Sequence, residues 1–123
     1  RGHSMWSPLW LVEALACDVA RGEYLLSLSA LKELLRTRRN DRILSYRYRN
    51  SEIASREELI FKYSLWFRFL LFLKERPGFT IPAVLAGAKR NRSKAKFDLW
   101  FRRSFGAAPQ NLLRAFISGL ETR

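Results

Sequence analysis

The stretch LIFKYSLWFRFLLFL, from Leu59 to Leu73, constrains the fold of this chain more than any other. It is apolar all round a helix, not along one stripe, and such a helix belongs in a bilayer or in the middle of a protein core. Roughly twenty apolar residues are needed to cross a bilayer. This run is shorter and is interrupted by Lys62 and Arg68. A buried central helix is therefore expected, without stable membrane insertion, and the rest of the chain must supply the elements that surround it. Its ends are well marked. Ser55 and Glu58 form a capping box at the start, and Arg76-Pro77-Gly78 stops the helix.

Most of the surrounding segments also carry helical signals. Ser7-Pro8 predicts a helix start, running to about Ala20 and ending at Gly22, with Trp10, Leu11, Ala14, Leu15 and Cys17 or Val19 as its apolar stripe. A second helix is expected from about Ser29 to Arg38, with Leu31, Leu34 and Leu35 inward, closing in the turn-rich RRND. Thr80 caps IPAVLAGA, and Lys89 to Arg92 form a basic turn. Ser93 caps the next helix, which Gly106 ends with a left-handed residue. Pro109 begins a last helix through about Leu120, whose apolar face is Leu112, Leu113, Phe116, Ile117 and Leu120.

RILSYRYRN differs. Leu44, Tyr46 and Tyr48 alternate with Ser45, Arg47 and Arg49, the period of a half-buried strand. The expected fold class is thus mainly α: a helical bundle with a helix-turn-helix unit and a short strand or wing near 42–49. Residues 1–5, RGHSM, read as an expression-tag remnant ahead of Met5. Residues 6–54 form a helical amino-terminal region without an assigned role, and 55–123 the helix-turn-helix region.

Charge points to a class of partner. The 123 residues carry a net charge of +12, unevenly placed. Residues 1–60 hold ten Lys/Arg against eight Asp/Glu, whereas 61–123 hold thirteen against three. A basic half beside a balanced half suggests a face for a polyanion. Nucleic acid is the first candidate and an anionic membrane the second, against the plainer alternative of a merely soluble basic surface. The single Cys17 excludes an internal disulfide and suits a reducing compartment, so a cytoplasmic location is expected.

The densest signal is SKAKFDLWFRRSFGAAP, Ser93 to Pro109. A short helix, a basic turn and a capped helix have the layout of a helix-turn-helix. At 100° per residue, Phe97, Trp100, Phe101, Ser104 and Phe105 fall on one side of the second helix. Ala95, Lys96, Leu99, Arg102 and Arg103 fall on the other. The aromatic side is expected to lock onto the preceding helices and leave the other to a DNA groove. Arg and Asn side chains at a helix amino end can reach base edges, and backbone amides can reach phosphates. The candidate DNA-binding residues are Lys89, Arg90, Asn91, Arg92, Ser93, Lys94, Lys96, Leu99, Arg102 and Arg103. Of these, Arg92, Lys96 and Arg103 are the foremost. Leu99 is suited either to a thymine methyl or to a helix-packing contact. Asp98 opposes phosphate binding unless it pairs with Arg102, four residues on, or orients it.

In FDLWFRRSFGAAP, Phe97, Phe101, Arg102, Arg103, Phe105, Gly106 and Pro109 sit at spacings that resemble the carboxy-terminal half of an AraC/XylS-type helix-turn-helix unit. Upstream, FTIPAVLAGAKRNRSKAKF is similar to that family's first helix and turn, with Leu85-Ala86 in place of its apolar-Ala pair. The likeness covers roughly 65–120, though AKRNRSK stands where the family has a Gly followed by an apolar residue. It implies a sequence-specific DNA-binding transcription regulator, with recognition contacts at Arg92, Ser93, Lys94 and Lys96. Such regulators carry two units, and one copy is evident here. A homodimer or a partner protein is therefore expected to complete a useful site on double-stranded DNA.

Two alternatives of other classes are kept. One is a non-enzymatic RNA- or ssDNA-binding subunit of a larger nucleoprotein complex, with Tyr46, Arg47, Tyr48 and Arg49 as a stacking and phosphate-binding surface. The other is an adaptor docking through the apolar helix 59–73. An enzyme is not expected. His3 lies in the tag-like segment, and no metal-ligand cluster or phosphate-cradling Gly loop stands out. Asp41, Glu52, Glu57 and Glu58 offer carboxylates for a metal-dependent nuclease, but Glu57 and Glu58 are more simply explained as acids favouring a helix amino end. No cofactor is expected.

Overall fold

In the computed structural model, which describes residues 8–19, 25–37 and 56–121, Arg56–Lys74 forms one helix of 19 residues against which three others pack. In chain order the described helices are α1 (Leu9–Val19), α2 (Leu28–Thr37), α3 (Arg56–Lys74), α4 (Ile81–Arg90), α5 (Lys94–Phe105) and α6 (Pro109–Glu121). Among the described residues there is no strand, and the fold is mainly α as expected. The strand or wing over 42–49, the Ser55 cap, the RGHSM segment and the Gly22 stop lie outside the described residues.

The apolar run of α3 meets a different neighbour on each of three sides. Phe61, Leu65, Trp66, Phe69, Leu70 and Leu73 are buried, each worth about 1.5–3 kcal/mol relative to exposure. α1 lies along α3, where Trp10 meets Phe69 at a ring separation of 5.3 Å. α6 closes another side, with Phe116 at 6.0 Å from Phe69 and 5.2 Å from Phe72. α2 touches both α3 and α6 through its buried Leu31 and Leu35. One hydrophobic cluster runs from Trp10 in α1 to Leu120 in α6, so α1 and α2 share their core with the helices that follow.

Lys62 is not a polar interruption facing water. It is 1% exposed, with its Nζ 4.7 Å from the Trp66 ring and 5.5 Å from the Tyr63 ring. The negative ring faces offset part of the cost of removing the ammonium from water. Ser64, also buried, donates to the Ile60 carbonyl at 2.6 Å and accepts from the Leu26 amide at 2.9 Å. That pair of bonds fixes the approach to α2 against α3. At the far end of α3, Lys74 Nζ lies 3.0 Å from Asp18 Oδ2 of α1, a partly exposed pair worth at most about 1 kcal/mol.

Several boundaries differ from expectation by a residue or two, each for a local reason. The Pro8 carbonyl accepts from the Leu11 and Val12 amides, so Pro8 precedes the first turn of α1. Ser27 Oγ accepts from the Ala30 amide at 3.1 Å, so α2 starts at Leu28, earlier than Ser29. α3 ends at Lys74, not Arg76, because Glu75 and Arg76 bond to carbonyls only three residues back. Arg76 is thereby released for a contact with α5.

Candidate nucleic-acid interface

α4 and α5 are joined by three residues, Asn91 to Ser93, and local chemistry sets each boundary. Thr80 Oγ1 accepts from the Ala83 amide at 3.2 Å, and Pro82 sits in the first turn, where its missing N–H costs nothing. At the other end, the backbone N–H of Asn91 and its Nδ2 both donate to the Gly87 carbonyl, at 3.0 and 2.8 Å. Arg92 Nε donates to the Lys89 carbonyl at 3.0 Å. Two carbonyls that the end of α4 would leave to water are thus satisfied within the turn. Ser93 then caps α5, its Oγ accepting from the Lys96 amide at 3.2 Å.

α5 ends as firmly as it begins. Gly106, at φ 93°, occupies the left-handed region, where a side chain is strained. Its N–H donates to the Arg102 carbonyl at 2.8 Å, and Arg76 Nη2 donates to the Phe105 carbonyl at 3.0 Å. The last turn of α5 is therefore tied to the chain just after α3.

Orientation about its own axis comes from the aromatic row. Phe97, Phe101 and Phe105 are buried, and Phe101 lies 4.8 Å from Phe105, 5.7 Å from Phe97 and 6.3 Å from Phe79 by ring centroids. Trp100 is half-buried, and its indole covers Gly87 of α4. A methyl group at Gly87 would overlap the Trp100 ring. Gly87→Ala is accordingly expected to push α5 off α4 and cost about 1–3 kcal/mol by overpacking. Thermal unfolding measures this loss, and unchanged stability would mean that Trp100 moves aside freely.

With the rings inward, Ala95, Lys96, Leu99, Arg102 and Arg103 are exposed, as the wheel anticipates. Ser104 is corrected: it is exposed, because the inward row follows Phe97, Phe101 and Phe105 and leaves Ser104 at its margin. Leu99 is 45% exposed at the middle of the outer face, so it is not a packing contact among the described residues. Asp98 has a cation one turn away in each direction and takes the earlier one. Its Oδ2 pairs with Lys94 Nζ at 2.9 Å, one turn back, rather than with Arg102. Asp98 is half-buried and Arg102 exposed, and the two form no ion pair among the described residues.

The expected basic turn divides into two parts. Lys89 and Arg90 are exposed in the last turn of α4, which they suit as cations near a carboxyl end. Asn91 and Ser93 are half-buried capping residues, and Arg92 is exposed but bonded back through Nε. The structure thus brings Lys96, Leu99, Arg102 and Arg103 together on one outward face, with Lys89, Arg90 and Arg92 at the turn. It draws Asn91, Ser93 and Lys94 into intramolecular bonds.

No match is found among protein-family models, curated proteins or solved structures.

The electrostatics of α5 are mixed: Arg102 and Arg103 in its last turn suit the helix dipole, and its first turn opposes it. α5 has Lys94 and Lys96 in its first turn and no acid there. A cation at that end opposes the macrodipole by about 0.3–1 kcal/mol. Asp98 relieves part of this for Lys94, and Lys96 stays exposed. Residues 89–103 hold seven Lys/Arg and one acid, Asp98. Among the described residues no group of three or more His, Cys, Asp or Glu is placed to hold a metal ion, and no helix is long and apolar enough to cross a membrane.

The Gly87–Trp100 lock and the Arg76 clamp lie outside the expectations drawn from the sequence. The run Ala86-Gly87-Ala88 was a usable signal for the first, since small residues permit close helix approach. Nothing in the sequence marks Arg76 as the partner of a carbonyl 29 residues away.

Proposed function

We propose that α4, the turn and α5 form a helix-turn-helix that lays α5 in the major groove of double-stranded DNA, in a sequence-specific transcription regulator of the AraC/XylS type. The observation that carries this is the outward face of α5. It holds Lys96, Arg102 and Arg103 around the exposed Leu99, directly opposite the buried Phe97, Phe101 and Phe105. A helix held so firmly on one side, with three exposed cations on the other, is well suited to a polyanion. Lys96 and Arg103 are the residues for base or phosphate contact, Leu99 for a thymine methyl, and Lys89, Arg90, Arg92 and Arg102 for flanking phosphates. Asn91 and Ser93 hold the turn, and Lys94 contributes less because Asp98 already binds it.

Selection of bound duplexes from a random pool tests the proposal. A recovered consensus is expected, and recovery of unrelated sequences would replace specific reading by general polyanion binding. Binding should also fall steeply with salt, with a logarithmic slope of about −0.9 for each phosphate neutralised. A slope near zero would exclude a phosphate-based interface. The adaptor alternative retains less surface, because Phe61, Leu65, Trp66, Phe69, Leu70 and Leu73 of the 59–73 helix are consumed in the core.

A further inference from the structure

Away from the cationic face, α3 and α6 leave a groove of about 290 Å³ whose apolar floor includes Leu71, Phe72 and Phe116. Arg68 and Glu75 also line it, with Ala115 and Gly119 of α6 and Leu28 of α2. Arg68 lies on α3 and Glu75 in the turn just past its end, seven residues on, so the two line the same groove about 10 Å apart along the helix direction. Neither side chain forms an ion pair among the described residues. Glu75 is one of only three acids in residues 61–123, and a second, Asp98, is bound by Lys94. An acid placed in the basic half beside an apolar floor, with a cation two turns away, makes a face complementary to itself.

We infer that this groove is the contact surface for a second copy of the chain, in an antiparallel two-fold dimer. The midpoint of positions 68 and 75 falls between Leu71 and Phe72. A two-fold axis there sets Arg68 of one protomer against the partner's Glu75, and repeats the pair on the other side. The same axis lays Leu71 against the partner's Phe72. Isologous contact requires this kind of self-complementarity, in which i meets j and j meets i. On α6, Ala115 and Gly119 lie one turn apart, and a Cβ built at Gly119 meets no atom within 4 Å. The partner backbone can therefore approach closely on that wall. A second copy satisfies both charged residues at once, whereas a partner of unrelated sequence would have to match charge, spacing and direction independently. The dimer does not depend on DNA binding.

Sedimentation without DNA tests it, using the whole chain, Arg68→Glu and Glu75→Arg. The wild type is expected to dimerise with increasing concentration. Each single reversal sets like charges against each other at both symmetry-related pairs and should raise the dimer dissociation constant about tenfold or more. Mixing the two variants restores opposite charges at both pairs and should restore dimer. This also shows that both variants fold. A monomeric wild type overturns the proposal, as does a dimer that neither reversal weakens or two weakened variants that mixing does not rescue. DNA binding by a monomer would leave the proposed function standing while removing the dimer.

Discussion

Phe101→Ala should lower the unfolding free energy by about 3–5 kcal/mol, the cost of a buried Phe truncation with its cavity. Phe101 is fully buried and meets Phe79, Phe97, Trp100 and Phe105, so no flexible side chain stands ready to fill the space. Total stabilities of small domains are only about 5–15 kcal/mol, so a large part of the folded population is at risk. Urea unfolding gives the measurement. A loss below about 1 kcal/mol would mean that the aromatic cluster relaxes around the vacancy and does not fix α5 in one orientation. Phe101→Leu serves as the milder companion, retaining most of the volume and hence most of the stability.

Lys96→Ala and Arg103→Ala should each weaken a selected DNA site by about 1–3 kcal/mol, roughly five- to 150-fold, with a smaller loss on unrelated duplex. Both side chains are exposed on the outer face of α5, so their removal leaves the aromatic core untouched. Lys94→Ala is the internal comparison. Its ammonium is already held by Asp98, so a weaker effect is expected. Titrations on selected and scrambled duplexes distinguish the outcomes. Equal losses on both would assign Lys96 and Arg103 to phosphates alone, and no loss on either would remove α5 as the binding helix.

Much of the scaffold was legible because it is written in short-range chemistry. Ser93, Gly106, Thr80 and Pro109 mark helix boundaries through bonds that span three or four residues or through one residue's allowed backbone angles. The inward row of Phe97, Phe101 and Phe105 repeats every four residues and emerges from any helical wheel. The destinations of the cations were less legible. Lys94, Lys96, Arg102 and Arg103 look equivalent in sequence, yet Lys94 is taken by Asp98, and the other three remain outward. Asp98 has basic neighbours one turn away in both directions, at Lys94 and Arg102. Periodicity does not choose between them; side-chain direction on the folded helix does.

The sequence by itself determined that the chain is mainly helical, that the run Leu59–Leu73 is a central buried helix, and that Lys94–Phe105 is a capped unit with an aromatic and a basic side. These follow from apolar area seeking cover and from hydrogen bonds closed within one turn. Only the tertiary structure decided which surfaces meet. Trp100 seats on Gly87, Arg76 clamps the Phe105 carbonyl, Ser64 holds the Leu26 amide, and α1 and α2 join the core of the later helices. Each joins residues distant in sequence, whose pairing depends on how side chains of particular shapes fill a common interior. No local propensity encodes that choice, and it is what aims the basic side of α5 outward.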